Sequence, residues 1–261
     1  MNVSISKLKC FKGCRRAYEL KYIEGLYPVN KSEALETGTK YHALLEELNT
    51  EHHAWPYVEH TKEMAMAQAY YKYIYPKFYC QAVEESFEYD LGDGNKLIGR
   101  IDARADGGYL VEHKTTGLTS LEAYEYNLQW DEQIPAYMLA TGARKMYYTI
   151  CRKPTIRQKQ NESEEEFYER MLAWYDEDTD SKIRLLEIER TDEEILTFEE
   201  ELKQMVHELE HTKHFYRNTQ QCNMFGSRCE YSSVCLHYDK DCDYVEFERR
   251  EEYGQSNTTE I

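Results

Sequence analysis

Two periods of hydrophobic and polar positions alternate along the chain. Apolar residues recur every three or four positions, as in a helix, over residues 4–24, about 33–50, 61–80, 120–141 and from Thr191 onwards. The period becomes two, as in a strand, over residues 83–91, 96–104, 109–114, 146–151 and 182–189. The sequence GDGN at 92–95 predicts a hairpin turn between the first two strands. Helices, a short and mainly antiparallel sheet and further helices predict an α/β fold.

The composition is that of a single globular domain over residues 1–261. With 41% apolar residues the chain can form one sizeable core, and no window approaches eighteen consecutive apolar residues, so no membrane span is predicted. The first residues lack the apolar stretch of a secretory signal. We therefore expect a cytoplasmic protein.

The net charge of −17 is concentrated in one part of the chain. Residues 161–210 hold 19 acidic and five basic side chains, so the other residues carry a net charge of only −3. The first 21 residues and the segment Arg144–Lys159 are instead locally basic, which allows an anion-binding groove on an acidic protein. The candidates for contacts with phosphate groups are Arg15, Arg16, Arg152 and Lys153.

Two carboxylates and a lysine come together on the predicted sheet. Asp102 and Glu112 lie near the ends of adjacent strands, so a hairpin directs their carboxylates towards each other. Lys114 is two residues beyond Glu112 and therefore points to the same face. Carboxylates can bind Mg²⁺ or Mn²⁺ and an ammonium stabilises a charged oxygen, as metal-assisted phosphodiester hydrolysis requires. A Glu-x-Lys pair alone is also common at the end of a solvated strand.

The motifs and their order resemble the PD-(D/E)XK nuclease superfamily, in its RecB-like branch. The matching segments are Gly38–His42 (G-x-x-x-H), Gly99–Asp102 and Leu110–Lys114 (motifs II and III) and Gln133–Tyr137 (Q-x-x-x-Y). The segment from Ser4 to Tyr18 and three clustered cysteines near the end of the chain are similar to the iron–sulfur members of that branch.

The resemblance implies a restriction-endonuclease-like core, a short mixed sheet flanked by helices, with a helical cysteine-rich flank. The side-chain ligands of one or two Mg²⁺ or Mn²⁺ ions would be His42, Asp102 and Glu112, and the carbonyl of His113 would be a further ligand. Lys114 would be the catalytic lysine. Gln133 and Tyr137 would orient the scissile phosphate or that lysine.

The resemblance also implies a role for four of the eight cysteines. Clustered thiols in a reducing compartment more often bind metal than form disulfides. AddB-type nucleases and the CRISPR adaptation nuclease bind a [4Fe–4S] cluster through one early and three late cysteines. The ligands implied here are Cys14, Cys222, Cys229 and Cys235. Such a cluster would join the N-terminal helix (4–24) to the C-terminal tail (215–242), with Cys10 and Cys242 as substitute ligands, and structural zinc would suit the same thiolates.

Two other classes of protein share features with this sequence. His207 to His211 matches the H-E-x-x-H motif of zinc peptidases, but the apolar residues of that helix lie on its other side. The histidines would then occupy a solvated acidic face, which favours a chance match. A non-catalytic subunit that binds DNA ends in a recombination or CRISPR-adaptation complex is the other alternative, and the intact set of site residues argues against it.

We therefore expect a metal-dependent DNA exonuclease that acts at DNA ends in recombination, repair or replication, similar to stand-alone nucleases of phages or of CRISPR adaptation. No G-x-x-x-x-G-K-[ST] segment is present, so no helicase motor is expected. The resemblance suggests DNA, a single-strand annealing protein, a helicase or a CRISPR integrase as partners, and leaves a homo-oligomer open. The expected compartment is the cytoplasm of a bacterium or of a phage-infected host cell.

Overall fold

The computed structural model describes residues 1–30, 32–52, 55, 58–224 and 227–250. The α-helices in this part of the chain are α1 (Ile5–Gly13), α2 (Arg15–Tyr18), α3 (Glu33–Glu51), α4 (Lys62–Tyr73), α5 (Leu121–Leu128), α6 (Gln133–Thr141), α7 (Glu164–Glu177) and α8 (Asp192–His211). The strands are β1 (Asn2–Val3), β2 (Leu26–Pro28), β3 (Cys80–Gly92), β4 (Asn95–Ala105), β5 (Leu110–Thr116), β6 (Lys145–Arg152), β7 (Ile183–Glu189), β8 (Asn223–Met224), β9 (Ser227–Arg228) and β10 (Phe247–Arg249).

The chain forms two compact units. Unit 1 comprises residues 1–30, 88–99 and the described residues from 197 onwards, and unit 2 comprises the described residues of 32–87 and 100–196. No helix in the described part of the chain is long and apolar enough to cross a membrane.

Unit 2 is built on a mixed sheet. β4 and β5 are antiparallel, with Ala103 opposite Val111, and β6 and β7 are also antiparallel. β5 and β6 run parallel, with Glu112 opposite Tyr148, and the connection between them contains α5 and α6, as a parallel crossover requires. This mixed sheet with helices confirms the predicted fold class.

The core of unit 2 joins α3, α4 and α7 to β6. The largest fully buried side chains of the cluster between these elements are Tyr41, Tyr70 and Tyr175, and Tyr148 of β6 is also fully buried. No element was predicted for residues 164–177, which form α7, because only three of its residues are buried within a strongly acidic sequence. A capping box between Ser163 and Glu166 begins this helix and was the local signal for it.

The predicted helix over residues 4–24 is interrupted in the structure. α1 ends at Gly13, and Cys14 takes an extended conformation (φ −155°, ψ 110°) before α2 begins. The side-chain amide of Asn218 donates to the carbonyl of Gly13 at 2.8 Å, and the Asn218 N–H donates to the sulfur of Cys14 at 3.4 Å. A residue two hundred positions away therefore stabilises the break, which the local pattern could not indicate.

The predicted helix over residues 120–141 is likewise two helices, α5 and α6. The break places Pro135 in the first turn of α6, where no intrahelical bond from its nitrogen is needed. A continuous helix would instead contain an interior proline, which is strongly unfavourable.

Unit 1 brings distant parts of the chain together. β2 pairs with β10, so that Tyr27 lies opposite Glu248, and β1 pairs with β4. Its core contains Leu20, Leu26, Tyr231, Val234 and Phe247, and the Tyr231 hydroxyl donates to the carbonyl of Leu26 at 3.0 Å. Backbone pairing and apolar packing thus already join the early and late segments of the chain.

Candidate active site

The ladder between β4 and β5 gives way to a side-chain contact at the site. The last backbone partners are Ala103 and Val111, and beyond them the N–H of His113 donates to Oδ2 of Asp102 at 2.7 Å. The Asp102 carboxylate therefore replaces a backbone acceptor, which fixes its orientation. Asp102 is 7% exposed and Glu112 is 1% exposed, so both carboxyl groups are buried.

Helix α3 carries a histidine to the same place. A methyl group on Gly38 would lie 3.6 Å from Oγ1 of Thr115, so α3 lies close to β5 at this point. One turn later, Nδ1 of His42 lies 3.5 Å from Oδ1 of Asp102. The small residue in the G-x-x-x-H motif thus permits the close approach that positions the histidine.

Lys114 lies between a carboxylate and an amide. Its ammonium forms an ion pair with Glu112 and donates to Oε1 of Gln133 at 3.0 Å. Nε2 of Gln133 in turn donates to the hydroxyl of Tyr137 at 2.6 Å, since these residues are one turn apart on α6. The structure therefore brings together the six side chains that the motifs contribute, which also include His42 and Asp102.

Burial and the neighbouring charges shift the pKa values of these groups. Burial alone would raise the pKa of Asp102, but the neighbouring His42, His113 and Lys114 hold it below its usual range. Burial and then the charge of Asp102 raise the pKa of Glu112. Burial alone would lower the pKa of Lys114, but the carboxylates of Glu112 and Asp102 outweigh it and raise this pKa, so the lysine is cationic.

His113 is a packing residue through its side chain. Its Nδ1 lies 2.8 Å from the hydroxyl of Thr149, and its ring meets that of Tyr70 edge-on at 5.2 Å. Burial lowers its pKa to about 4, so the imidazole is neutral at ordinary pH. The backbone carbonyl is thus the group of His113 that agrees with the role implied by the resemblance.

Three neighbours of the site were not predicted. Asp131 accepts from the N–H of Gln133 at 3.2 Å and from the Tyr148 hydroxyl at 3.3 Å, so it supports the start of α6. Glu84 has a left-handed backbone (φ 52°) and forms an ion pair with Arg100. Arg100 lies two residues before Asp102 in the predicted strand, which was the available signal, but no local pattern distinguishes Glu84.

Two of the predicted phosphate-binding residues lie at the end of β6 in unit 2. Arg152 is opposite Thr116, which lies two residues beyond Lys114, and the Arg152 guanidinium lies 5.3 Å from the ring centre of Trp174. Lys153 donates to the carbonyl of Ala34 at 2.7 Å. Arg152 is therefore the last residue of β6 and Lys153 follows it, and β6 is the strand paired with β5.

The other two, Arg15 and Arg16, belong to unit 1. Arg15 forms an ion pair with Glu208, and Arg16 forms one with Glu19. The guanidinium of Arg15 also lies 4.8 Å from the ring centre of Tyr216. Both arginines are thus already engaged by carboxylates.

The H-E-x-x-H segment lies on the exposed face of α8. The rings of His207 and His211 stack at 4.1 Å, and Nδ1 of His211 lies 2.8 Å from the backbone carbonyl of His207. Glu208, the would-be general base, is paired with Arg15. This geometry favours a solvated helix face rather than a peptidase site.

The four predicted cluster ligands all lie in unit 1 with free thiols. Burial raises the pKa of Cys229, and the nearby Cys14 and Cys222 add to this effect. Cys14 and Cys222 also raise the pKa of Cys235, after burial. The N–H of Cys229 donates to the carbonyl of Cys222 at 3.0 Å. These thiols are therefore electrostatic neighbours, and Cys10 is close enough to Cys14 and Cys229 for its own pKa to be raised by them, after burial.

No three histidine, cysteine, aspartate or glutamate side chains in the described residues are already arranged around a common metal position. The donor set in unit 2 nevertheless suits a hard divalent cation, because buried Oε2 of Glu112 has no hydrogen-bond partner among the described residues. Asp102 and His42 supply further oxygen and nitrogen donors beside it. The four thiols in unit 1 have the donor chemistry of an iron–sulfur or zinc site.

Comparison with known proteins gives a family and a fold. The chain matches the family model of the PD-(D/E)XK nuclease superfamily over residues 2–71 and 53–236. No curated protein matches it. Its structure is similar to that of a protein named SSO0001, with a TM-score of 0.50 and 14% identity over 90% of this chain and 86% of the other.

Two further solved structures are similar at lower scores. An alkaline exonuclease (LHK-Exo) from Laribacter hongkongensis has a TM-score of 0.41 and 14% identity, over 80% of this chain and 88% of the other. A phage-related exonuclease from Haemophilus somnus 129PT has a TM-score of 0.35 and 16% identity, over 72% and 88%. The family match spans most of the sequence, and the chain therefore belongs to the PD-(D/E)XK nuclease superfamily.

Proposed function

We propose that this nuclease is a DNA exonuclease that hydrolyses phosphodiester bonds at DNA ends with Mg²⁺ or Mn²⁺. Members of the superfamily generally use a divalent metal. The observation that carries the proposal is the position of the Lys114 ammonium, which is held by Gln133 beside the buried carboxylate of Glu112. Cation and carboxylates on one side of two adjacent strands are what in-line attack on a phosphodiester requires.

The residues proposed to hold the metal are His42, Asp102 and Glu112, with the carbonyl of His113. When bound, a divalent cation would lower the pKa of a water molecule and neutralise charge on the phosphate. His42 is poised for this role because its ring already faces the Asp102 carboxylate and is only 24% exposed. The unsatisfied Oε2 of Glu112 supports its assignment as a ligand.

Lys114 is proposed to stabilise negative charge on the attacking or departing oxygen. Its raised pKa keeps the ammonium protonated through the reaction. Gln133 accepts a hydrogen bond from one N–H of the ammonium and Glu112 forms an ion pair with it, so the direction in which the ammonium can still donate is limited. Tyr137 fixes Gln133 and contacts the ring of Phe87 at 5.3 Å, which makes it a positioning residue.

In unit 1 we propose a [4Fe–4S] cluster, with structural zinc as the alternative. Its ligands would be Cys14, Cys222, Cys229 and Cys235, whose thiols are free and influence one another. Cys14 stands at the break between α1 and α2, where its backbone is extended, and this position outside both helices supports the assignment. The proposed role is structural, because a cluster here would join the break between α1 and α2 to the loops that follow α8.

By resemblance, the proposed setting is DNA recombination, repair or replication in the cytoplasm of a bacterium or of a phage-infected host cell. DNA is the proposed substrate. A single-strand annealing protein, a helicase or a CRISPR integrase would be the protein partner. Association with further copies of the same chain is compatible with this proposal.

End-labelled linear DNA, single- and double-stranded, tests the proposal in the presence of Mg²⁺ or Mn²⁺. We expect progressive release of label by the wild-type protein, and Lys114→Ala should lower the rate about a thousandfold or more because a charge-stabilising group is lost. Lys72→Ala is the matched control, since Lys72 is exposed and pairs with Asp176 elsewhere in unit 2. Full activity in Lys114→Ala would exclude charge stabilisation by Lys114 as the mechanism. Intact DNA under every metal, with DNA still bound, would instead favour the non-catalytic subunit.

A further inference from the structure

The backbone of Glu84 has an unfavourable conformation inside a strand. Among the described residues, three that are not glycine have a positive φ, namely His52, Glu84 and Asp93. His52 ends α3 and Asp93 lies in the turn between β3 and β4, where left-handed residues are usual. Glu84 (φ 52°) lies within β3, where no turn requires this conformation. Such outliers cluster at functional sites, where the surrounding structure holds a side chain in a particular place.

The Glu84 carboxylate is directed to Arg100 on the neighbouring strand. Its Oε2 forms an ion pair with Nε of Arg100. The two side chains are 16% and 21% exposed, so the pair is largely removed from water yet within reach of a ligand. The two terminal nitrogens of the guanidinium form no hydrogen bond with any residue that the structure describes. A ligand can therefore bind these nitrogens while the ion pair stays intact.

Arg100 lies beside the candidate active site. It precedes Asp102 by two residues on β4, so the two side chains share a face and lie about 7 Å apart along the strand. From the pairing of Ala103 with Val111, three residues along each antiparallel strand lead in the same direction to Arg100 and to Lys114. The guanidinium and the ammonium are therefore on the same side of the buried carboxylates.

Glu84 is an electrostatic neighbour of the same site. Burial raises its pKa, and the charge of Arg100 opposes this rise. The charges of Asp102 and His42 also act on the Glu84 carboxyl group. The residue with the unfavourable backbone thus lies close to two of the residues proposed to hold the metal.

A second ion pair between the same two strands offers an internal comparison. Nε of Arg104 donates to Oε2 of Glu85 at 2.9 Å. Arg104 lies two residues beyond Asp102 on β4, on the side away from Lys114. Glu85 has no positive φ, and its side chain is 44% exposed. The two pairs have the same chemistry, but only the first combines an unfavourable backbone with a place on the side of the catalytic lysine.

We propose that Glu84 and Arg100 form a substrate-positioning pair, in which Glu84 holds Nε of Arg100 and the terminal nitrogens of Arg100 donate to the DNA phosphate next to the scissile one. The inference rests on the proposed nuclease function and deepens it by naming two residues that place the strand on the metal site. A planar guanidinium suits bidentate donation to phosphate oxygens, and an anchor at Nε fixes its plane. The anchor stands on β3, across β4 from β5, so it directs the guanidinium away from Lys114 and towards the neighbouring phosphate.

Fluorescence anisotropy of the full-length Lys114→Ala protein with labelled linear DNA tests the pair without cleavage. In this background Arg100→Ala should weaken binding about tenfold, the effect of one charge-assisted contact. Glu84→Ala should weaken it about three- to tenfold, because the guanidinium loses its anchor. Glu84→Gln should recover most of that loss, because its amide oxygen can still accept from Nε.

Glu84→Gly separates the side chain from the backbone. Glycine adopts a φ of 52° freely, so this variant should unfold at a higher Tm than Glu84→Ala and still bind DNA as weakly. Arg104→Ala and Glu85→Ala, from the second ion pair, are the matched controls and should keep the affinity of the parent. Parental affinity in Arg100→Ala or in Glu84→Gly would overturn the inference, and so would equal losses in Arg100→Ala and Arg104→Ala.

The change of Tm with Mn²⁺ shows whether Glu84 is a metal ligand instead. In the protein that keeps Lys114, Glu84→Ala should retain the shift of the wild type. Loss of the shift in Glu84→Ala but not in Arg100→Ala would assign Glu84 to the metal and overturn the positioning role.

Cleavage kinetics separate this inference from the proposed function. Arg100→Ala should raise KM about tenfold and leave kcat nearly unchanged, because a contact with the neighbouring phosphate is the same in the substrate and in the transition state. A fall in kcat alone would overturn the assignment to that phosphate. If the wild type digests DNA while the variants bind as the parent does, the pair inference fails and the nuclease function stands. If the wild type digests no DNA with any metal, the proposed function fails, while weaker binding by Arg100→Ala would still show the phosphate contact.

Discussion

The site in unit 2 and the cysteine group in unit 1 are ordered in different ways. In unit 2 the side chains of the candidate site lie on strands or on helices such as α3. Hydrogen bonds of 2.6–3.0 Å link Asp102, Lys114 and Gln133 to their neighbours. In unit 1 one thiol lies at a break between helices and the others follow short loops, with Cys222 exposed. The fold therefore arranges the first set, whereas the order of the second set would depend on the proposed cluster.

The difference follows from the chemistry of the ligands. Buried carboxylates are costly without a partner, so they are stable only where Lys114 and His42 already neutralise them. Neutral thiols carry no such penalty and can approach one another loosely. Removing a ligand should therefore affect activity in unit 2 and stability in unit 1.

The largest effect on stability is expected for Cys229→Ser. Loss of one of four thiolates should remove the visible absorbance at about 400 nm and lower the solubility. It should also reduce the free energy of unfolding by several kcal/mol, on the order expected for a structural metal site. The measurements are an absorbance spectrum after anaerobic purification, iron and zinc analysis, and thermal unfolding.

Cys80→Ser is the control for this change, because Cys80 is a buried thiol of unit 2. It should keep the colour of the wild type even if packing suffers. Full absorbance in Cys229→Ser would show that Cys229 is not a ligand, and a colourless protein with bound zinc would replace the cluster by zinc.

A second prediction concerns stabilisation by the metal in unit 2. Saturating Mn²⁺, at about a hundred times its dissociation constant, should stabilise the wild type by about 2.7 kcal/mol and raise its Tm by about 5–10 °C. Glu112→Gln should abolish both this shift and cleavage, because the neutral amide is a poor ligand. The exposed Glu47, on another face of α3 from His42, offers the control Glu47→Gln. A full shift in Glu112→Gln would exclude Glu112 as a ligand.

Much of the unit 2 site could be predicted because its residues lie on regular elements. Alternation along β4 and β5 fixes which side chains share a face, so Glu112 and Lys114 follow from a period of two. The spacing of Gln133 and Tyr137 similarly follows from one helical turn. The resemblance to the family then identified these local patterns as parts of one site, because they follow one another along the chain in the family's order.

The parts that could not be predicted depend on contacts between distant residues. The apolar period runs unbroken past Cys14, and the break there needs Asn218. Asp131 lies at the site because α6 starts beside it. Glu84 adopts a positive φ in β3 and pairs with Arg100. Such features arise from tertiary structure and have no period in the sequence.

A third prediction addresses the positioning of the lysine. Gln133→Ala removes the acceptor 3.0 Å from the Lys114 ammonium, so kcat should fall about tenfold, equivalent to about 1.4 kcal/mol, with little change in KM. Gln129→Ala, an exposed glutamine at the end of α5, should behave as the wild type. Tyr137→Phe should cost less than Gln133→Ala, since the glutamine keeps its contact with the lysine. A rise in KM alone would mean that Gln133 binds DNA rather than orienting Lys114.

The smallest effect should distinguish the cations of the two units. Nε of Arg152 is buried without a hydrogen-bond partner among the described residues, whereas Arg16 is paired with Glu19. A phosphate contact by Arg152 therefore needs no ion pair to be broken, and Arg152→Ala should weaken DNA binding several-fold and reduce its salt slope by about 0.7–0.9. Arg16→Ala should change the slope less, because its charge is already compensated. Equal slopes for both variants would contradict this difference, and a larger change for Arg16→Ala would mean that DNA displaces Glu19 from its arginine.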